Sequence, residues 1–167
     1  MDPFSLVVGT SSLLDISWRV GKYLKDVHEA AGEVEGEIAS LSREIESLGS
    51  VNKSIQQLHK AEIEDLLENP SEISDRARDL WQNAAKILED CRATVEKLKV
   101  ILEAIIGKDG DKVTGWRDGI KKQLRKQSKD GVLTQIRLQL STHRESLHIF
   151  LTSLDLFVFY FWGSNNC

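Results

Sequence analysis

The stretch Ile38-Ala39-Ser40-Leu41-Ser42-Arg43-Glu44-Ile45-Glu46-Ser47-Leu48-Gly49-Ser50-Val51-Asn52-Lys53-Ser54-Ile55-Gln56-Gln57-Leu58 decides the fold class of this chain. Ile38, Leu41, Ile45, Leu48, Val51, Ile55 and Leu58 follow one another at spacings of three or four. That spacing lines one face of an α-helix, whereas a half-buried strand would alternate every second residue. Charged and polar residues fill the other positions, so the helix must bury its stripe against a partner. The pattern runs to Leu67 and stops before Asn69-Pro70, because proline disfavours the helical conformation of the residue before it.

Downstream, Ser71 opens a second long helix, with Glu72 and Asp75 well placed in its positive first turn. Its apolar row is Ile73, Ala77, Leu80, Ala84, Ile87, Cys91, Val95, Leu98, Leu102 and Ile105, ending at Gly107. The sustained three-four alternation favours near-antiparallel packing in a bundle. Lys108-Asp109-Gly110-Asp111-Lys112 reads as a turn, followed from Thr114 to Ser128 by a shorter basic helix with Trp116, Ile120 and Leu124 on one side. Asp130-Gly131 breaks that helix, and a last one starts near Val132 with Leu133, Ile136, Leu140, Leu147, Phe150, Leu151 and Leu154 as its stripe. No period-two strand precedes the extreme C-terminus, and no internal repeat is visible. The expected fold is all-α, an antiparallel bundle of four to five helices.

Upstream, Glu29-Ala30-Ala31-Gly32-Glu33-Val34-Glu35-Gly36 reads as a turn or a weakened helical join. Before it, Asp2 supplies an N-cap and Pro3 the first helical position. Pro3-Phe4-Ser5-Leu6-Val7-Val8-Gly9-Thr10-Ser11-Ser12-Leu13-Leu14 then carries no charge. Charge returns with Asp15, Arg19, Lys22 and Lys25, while Leu13, Ile16, Val20, Leu24 and Val27 keep one apolar face. The front of this helix is apolar or small all round and its back is amphipathic. Such a helix is covered by other helices or lies against lipid, and composition alone does not separate the two.

The far end carries Leu156-Phe157-Val158-Phe159-Tyr160-Phe161-Trp162, apolar all round and rich in β-formers. Counted from Leu147 the run is about 24 Å long as a helix, short of a bilayer core of roughly 30 Å. It reads as the tip of a core helix, with a membrane-inserting or aggregation-prone tail as the alternative. The chain therefore divides into a bundle at 1–154 and an apolar aromatic tail at 155–167.

With 167 residues, 41% hydrophobic and 29% charged, the chain has the length of one domain and the composition of an ordinary globular protein. The net charge of -4 conceals an asymmetry. Residues 29–72 hold 11 acids against 3 bases, and residues 107–130 hold 8 bases against 4 acids. The two blocks either pair with each other or present an acidic and a basic face. Cys91 and Cys167 provide no disulfide framework, and Cys91 falls in an apolar row as a small core residue. An acid stands where a signal peptide needs a basic region, so the expected compartment is the cytoplasm. Asn52-Lys53-Ser54 is a formal glycosylation sequon, read as chance in that compartment.

Catalytic patterns fail one by one. Gly110 and Gly115 have phosphate-loop spacing, but Trp116-Arg117 follows where Lys-Ser/Thr is needed. Asp109-Gly110-Asp111 resembles the start of a calcium loop, yet Val113, Thr114 and Ile120 occupy later ligand and glycine positions. A di-metal bundle site needs two inward Glu-x-x-His pairs, and only Glu145 to His148 fits, more simply a surface glutamate beside a partly buried histidine. No enzyme, cofactor or metal is expected. The basic residues Lys108, Lys112, Arg117, Lys121, Lys122, Arg125, Lys126 and Lys129 have the character of an anionic-lipid contact. Their bland alternative is a solvated face balanced by the acidic second helix, and the interspersed acids speak against nucleic acid.

The opening Met1-Asp2-Pro3-Phe4-Ser5-Leu6 with Ser11-Ser12-Leu13-Leu14, the segment Glu44-Ile45-Glu46-Ser47-Leu48, and Ile136-Arg137-Leu138-Gln139-Leu140-Ser141-Thr142-His143-Arg144-Glu145-Ser146-Leu147 together resemble the HeLo-like N-terminal domain of fungal STAND (NOD-like receptor-type) proteins. The resemblance spans residues 1–154 and rests on patterns, without a catalytic signature. Such domains are helical bundles that trigger regulated cell death, similar in design to the four-helix bundle of the mixed-lineage-kinase-like necroptosis effector. The resemblance implies a cytoplasmic innate-immunity effector that self-associates when a NOD-like receptor or amyloid signal reaches it. It then moves to the plasma membrane and permeabilises it through its first helix. Carried onto this chain, Phe4, Leu6, Val7, Val8, Leu13, Leu14, Ile16 and Trp18 would face lipid. Asp15, Arg19 and Lys22 would face a lumen or neighbouring subunits. The nucleotide-binding domain and repeats of the family are not part of this sequence, and the aromatic tail is not part of the match. The rival expectation is a helical interaction module, a signalling adaptor whose first helix stays in the core.

Overall fold

A computed structural model describes the backbone of residues 3–31, 35–68, 75–106 and 116–165, with side chains over 9–28, 35–58, 79–106 and 118–156. Among these residues the chain is all-α, with five helices: α1 (Pro3–Ala31), α2 (Glu35–Glu68), α3 (Asp75–Ile106), α4 (Trp116–Lys129) and α5 (Val132–Asn165). The expected Asp2 cap, the Lys108–Lys112 turn and Trp116 as a core side chain lie outside what is described. Gly36 belongs to α2, so any break after α1 falls before Glu35. The backbone helix of α5 continues without interruption through the aromatic run to Asn165.

The four long helices form a ring in which α1 packs on α2 and α3, and α5 packs on the same two. Among the described residues α1 does not touch α5, nor α2 touch α3, so these pairs stand at opposite corners. Side-chain links set the directions. Asn52 reaches Thr10 and Gln56 reaches Ser11, while Glu35 meets His28, so α1 and α2 run oppositely. Thr94 meets His143 and Trp81 meets Phe150, so α3 and α5 also run oppositely. Tyr23 with Glu103, and Arg19 beside Lys99, make α1 and α3 run the same way. Glu37 with Thr134, and Glu44 with Arg144, do the same for α2 and α5. Chain neighbours therefore oppose each other, and the other two sides of the ring pair helices of like direction.

The core is the sum of the stripes. Leu13, Val20, Leu24 and Val27 of α1 meet Ile38, Leu41, Ile45, Leu48, Val51 and Ile55 of α2 in one cluster. Leu98 and Leu102 of α3 and Leu133, Ile136, Leu140 and Leu147 of α5 complete it. Trp81 and Phe150 close one part of the α3–α5 seam, edge to face with ring centres 5.1 Å apart. The short helix α4 contributes Ile120 and Leu124, fully buried, and packs on α1, α3 and α5. It ends at a tight join where the Gly131 amide bonds to the Ser128 carbonyl at 3.0 Å. Gly131 has φ of 70°, a left-handed conformation that suits glycine and lets α5 begin at the next residue, Val132.

The sequence leaves open whether the acidic and basic blocks pair or present separate faces; among the described residues α2 and α4 are not in contact. The physical reason is topological: α4 is tied to the end of α3, which stands diagonally opposite α2. His148, expected to be partly buried, is exposed beside the exposed Glu145, and the half-buried histidine of α5 is His143. The core placement gives a direct check. Leu98→Ala should lower the unfolding free energy in urea by roughly 2–5 kcal/mol, whereas Leu138→Ala on the exposed side of α5 should change it by less than about 0.5 kcal/mol.

Candidate membrane-active helix and basic face

The helix α1 is held by three others, α2, α3 and α4. Its buried row is Thr10, Leu13, Ser17, Val20, Leu24 and Val27, at spacings of three or four. Only the back of that row is continuously apolar. The front contains two hydroxyl residues, and the hydroxyl of Ser17 is buried with no hydrogen-bond partner. On the α2 side Asn52, 0% exposed, donates from Nδ2 to the backbone carbonyl of Thr10 at 2.8 Å. Its Oδ1 is buried without a partner. The formal sequon at Asn52 is therefore inside the core and presents no acceptor to solvent.

The expected lipid-facing set is spread around α1. Leu13 is fully buried, Leu14 and Ile16 are half-buried, and Trp18 is 70% exposed. The side chains of Phe4, Leu6, Val7 and Val8 lie outside those described. Asp15, Arg19 and Lys22, expected on a polar face, are all exposed. Asp15 and Arg19 pair at 3.1 Å one turn apart, which contributes only a few tenths of a kcal/mol at such exposure. Towards α3, the hydroxyl of Tyr23 donates to Glu103 at 3.3 Å, and Lys99 bonds Glu96 at 2.9 Å. That hydrogen bond holds the Lys99 ammonium above its usual range, against the opposing effect of burial.

The expected basic face is partly described. Lys108 and Lys112 lie outside the described residues, as does the side chain of Arg117. On α4, Lys122, Arg125, Lys126 and Lys129 are exposed on the side away from Ile120 and Leu124, and Lys121 is half-buried. Lys122, Lys126 and Lys129 form no ion pair among the described residues, so their charge is directed at solvent. Their spacing of four and three places them on one stripe.

On α5 a second half-buried polar pair faces α3. Thr94 donates its hydroxyl proton to the Asp90 carbonyl at 3.0 Å, so its oxygen accepts from Nε2 of His143 at 3.1 Å. Burial holds the His143 imidazole below its usual range, with the Asp90 carboxylate pulling the other way. Arg144 links α5 to α2 through Glu44 at 3.3 Å, both side chains mostly covered. Burial, reinforced by Asp90, pushes the Cys91 thiol up to about 12, so it carries no thiolate at neutral pH. Among the described residues no three His, Cys, Asp or Glu side chains are grouped to hold a metal ion.

Thr10, Ser17, Asn52 and His143 escape a reading based on apolar spacing. Asn52 and Ser17 nonetheless keep the three-four spacing of their rows, with Leu48 and Ile55 or Leu13 and Val20 on either side. A polar residue at such a position is the signal that marks them. Among the described residues, no helix is long and apolar enough to cross a membrane. The chain matches no family model, no curated protein and no solved structure.

The histidine sets a pH dependence with a definite sign. Its folded pKa lies below the ordinary value of 6.5, so its neutral form stabilises the fold at and above that pH. That contribution is lost as pH falls from 6.5 through the lower folded value. Urea unfolding should show a weaker fold at pH 5.5 than at pH 7.5, and His143→Gln should remove part of that difference. An equal pH dependence in the two proteins would refute the assignment.

Proposed function

We propose that the bundle is a non-enzymatic effector of regulated cell death that self-associates and permeabilises membranes through α1. On this reading it waits in the cytoplasm and moves to the plasma membrane when a NOD-like receptor or an amyloid signal assembles it. The observation that carries the reading is the distribution of apolar groups around α1. Leu13 is consumed by the core, yet Trp18 on the other side is 70% exposed, beside Arg19 and Lys22. An indole next to cations suits the boundary between headgroups and hydrocarbon. Lys122, Lys126 and Lys129 of α4 supply attraction to anionic headgroups, each contributing roughly 1 kcal/mol near such a surface.

The uncharged front of α1 measures about 18 Å, short of a bilayer core of roughly 30 Å. Several copies, a thinned bilayer or the amphipathic continuation to Leu24 would have to complete a polar path. Asp15, Arg19 and Lys22 would then line it. The second reading is a helical docking module in which α1 never leaves. What favours it is the number of helices that cover α1, since Leu13, Val20, Leu24 and Val27 all belong to the shared core.

Dye leakage and co-sedimentation with vesicles separate the two. Vesicles with anionic lipid should bind and leak more than neutral ones. The triple change of Lys122, Lys126 and Lys129 to Gln should cut binding to anionic vesicles by about two orders of magnitude while helicity is kept. Asp15→Asn and Arg19→Gln should leave binding in place and alter leakage. No leakage from either vesicle at high protein concentration would contradict the membrane reading and favour the docking module.

A further inference from the structure

We propose that the outward face of α5 is a pairing surface for a second copy of this chain, the two α5 helices lying antiparallel across a two-fold axis. Five large apolar side chains are exposed among the described residues, and three of them, Leu138, Ile149 and Leu156, stand on α5. Together with the exposed Thr142, Glu145 and Thr152 they make one stripe, at successive spacings of four, three, four, three and four. That alternation is the repeat of a coiled-coil seam. It lies on the side of α5 away from the buried Ile136, Leu140, Leu147 and Leu154. The hydroxyls on the stripe are already spent within the helix: Thr142 donates to the Leu138 carbonyl and Thr152 to that of His148, each at 3.0 Å. Covering this face therefore strands no hydroxyl donor.

The occupant follows from the symmetry of the stripe. Its spacing is the same read from either end, so an antiparallel copy sets Leu138 on Leu156, Thr142 on Thr152 and Glu145 on Ile149, each twice. Sliding the copies by one seven-residue repeat would instead set Leu156 against Gly131 or Leu138 against Gly163, so one register covers all three apolar side chains. Charge chooses the direction. A parallel pair would set Glu145 against Glu145 and Asp155 beside Asp155, and like charges so placed oppose association. In the antiparallel pair Glu145 comes within one residue's rise of His148 of the second copy, and Asp155 within two of Arg137, on the same flank. Arg137, His148 and Asp155 make no ion pair among the described residues, so all three are available. The two Glu145 carboxylates stay four residues apart along the seam, each with Arg144 of its own helix at 3.8 Å. Pairing on α5 leaves α1 free, because α1 stands at the opposite corner of the ring. The place of this contact in the self-association proposed above rests on that reading; the pairing itself does not.

Sedimentation of the full chain over a concentration series tests the contact. The wild type should show a reversible monomer–dimer equilibrium. Ile149→Glu crowds four carboxylates at the axis and should weaken the dimer by more than about tenfold while helicity is kept. Leu138→Lys, nearer the end of the seam, should weaken it as well, and it decides if Ile149→Glu loses helicity. Direction is read by cross-linking. Thr142→Cys and Thr152→Cys chains, each with Cys167→Ser, are mixed and treated with a short bis-maleimide, Cys91 being buried. The 142–152 link should exceed the 142–142 and 152–152 links by about tenfold, because the antiparallel seam holds like positions about 15 Å apart along its axis. A monomer at every concentration, a dimer that both seam variants leave intact, or links of like positions in equal or greater amount would overturn the proposal. So would a chain that stays monomeric and loses vesicle binding with Ile149→Glu, which would make the face a lipid contact. Dye leakage is read on the same proteins: a dimer formed on α5 without leakage keeps the pairing and overturns the membrane reading instead.

Discussion

The structure depends on the burial of α1 between α2 and α3. Leu13, Val20, Leu24 and Val27 reach into the same cluster as the stripes of the other helices. Because α1 and α5 stand at opposite corners, α2 and α3 meet α5 on one side and α1 on the other. Removing α1 would therefore expose one apolar flank of each of two long helices. At roughly 25 cal/mol per Å² of apolar surface, such exposure is tolerable only if something else covers it. A second copy or a lipid surface are the two coverings that the proposed function allows. The same constraint ties the stability of the bundle to the docking of α1.

Among the described residues, the acidic and basic helices do not neutralise each other. The acidic α2 and the basic α4 lie apart, and the acids of α2 find other partners: Glu44 binds Arg144, Glu37 accepts from Thr134, and Glu35 meets His28. These links stitch α2 to α5 and α1, where they set direction and register more than stability. Lys122, Lys126 and Lys129 of α4 are left pointing outward. An outward cationic stripe on a helix that packs against α1 is an asymmetry on the surface, and the field of such a stripe acts over roughly 10 Å at ordinary salt.

Much of this was legible in the chain. The rows of α2 and α3 follow from three-four spacing alone, because burial of one helical face imposes that period on the residues it covers. The turn at Gly131 follows from backbone chemistry. What spacing did not reveal has physical reasons. Thr10, Ser17 and Asn52 are core residues by position and polar by chemistry, so a template of apolar residues passes over them. The separation of α2 from α4 depends on which helix stands diagonal to which, and no local pattern encodes that. Histidine burial depends on a neighbouring helix: His143 turns towards Thr94, and His148, five residues on, does not. Of the residues singled out on α1, Asp15, Arg19, Lys22 and Trp18 are exposed, Leu14 and Ile16 are half-buried and Leu13 is in the core.

The central claim is that α1 must leave its groove for the protein to act on a membrane. A reversible tether addresses that claim without deleting any core residue. Ser11 and Gln56 already touch across the α1–α2 seam, and Cys91 is buried with an unreactive thiol, so Ser11→Cys and Gln56→Cys with Cys167→Ser provide two thiols that a short, reducible bis-thiosulfonate can bridge over the span the Gln56 side chain covers. The account predicts that the bridged protein binds anionic vesicles and leaks none of their dye, and that reduction restores leakage. Equal leakage from the bridged and reduced forms would contradict it.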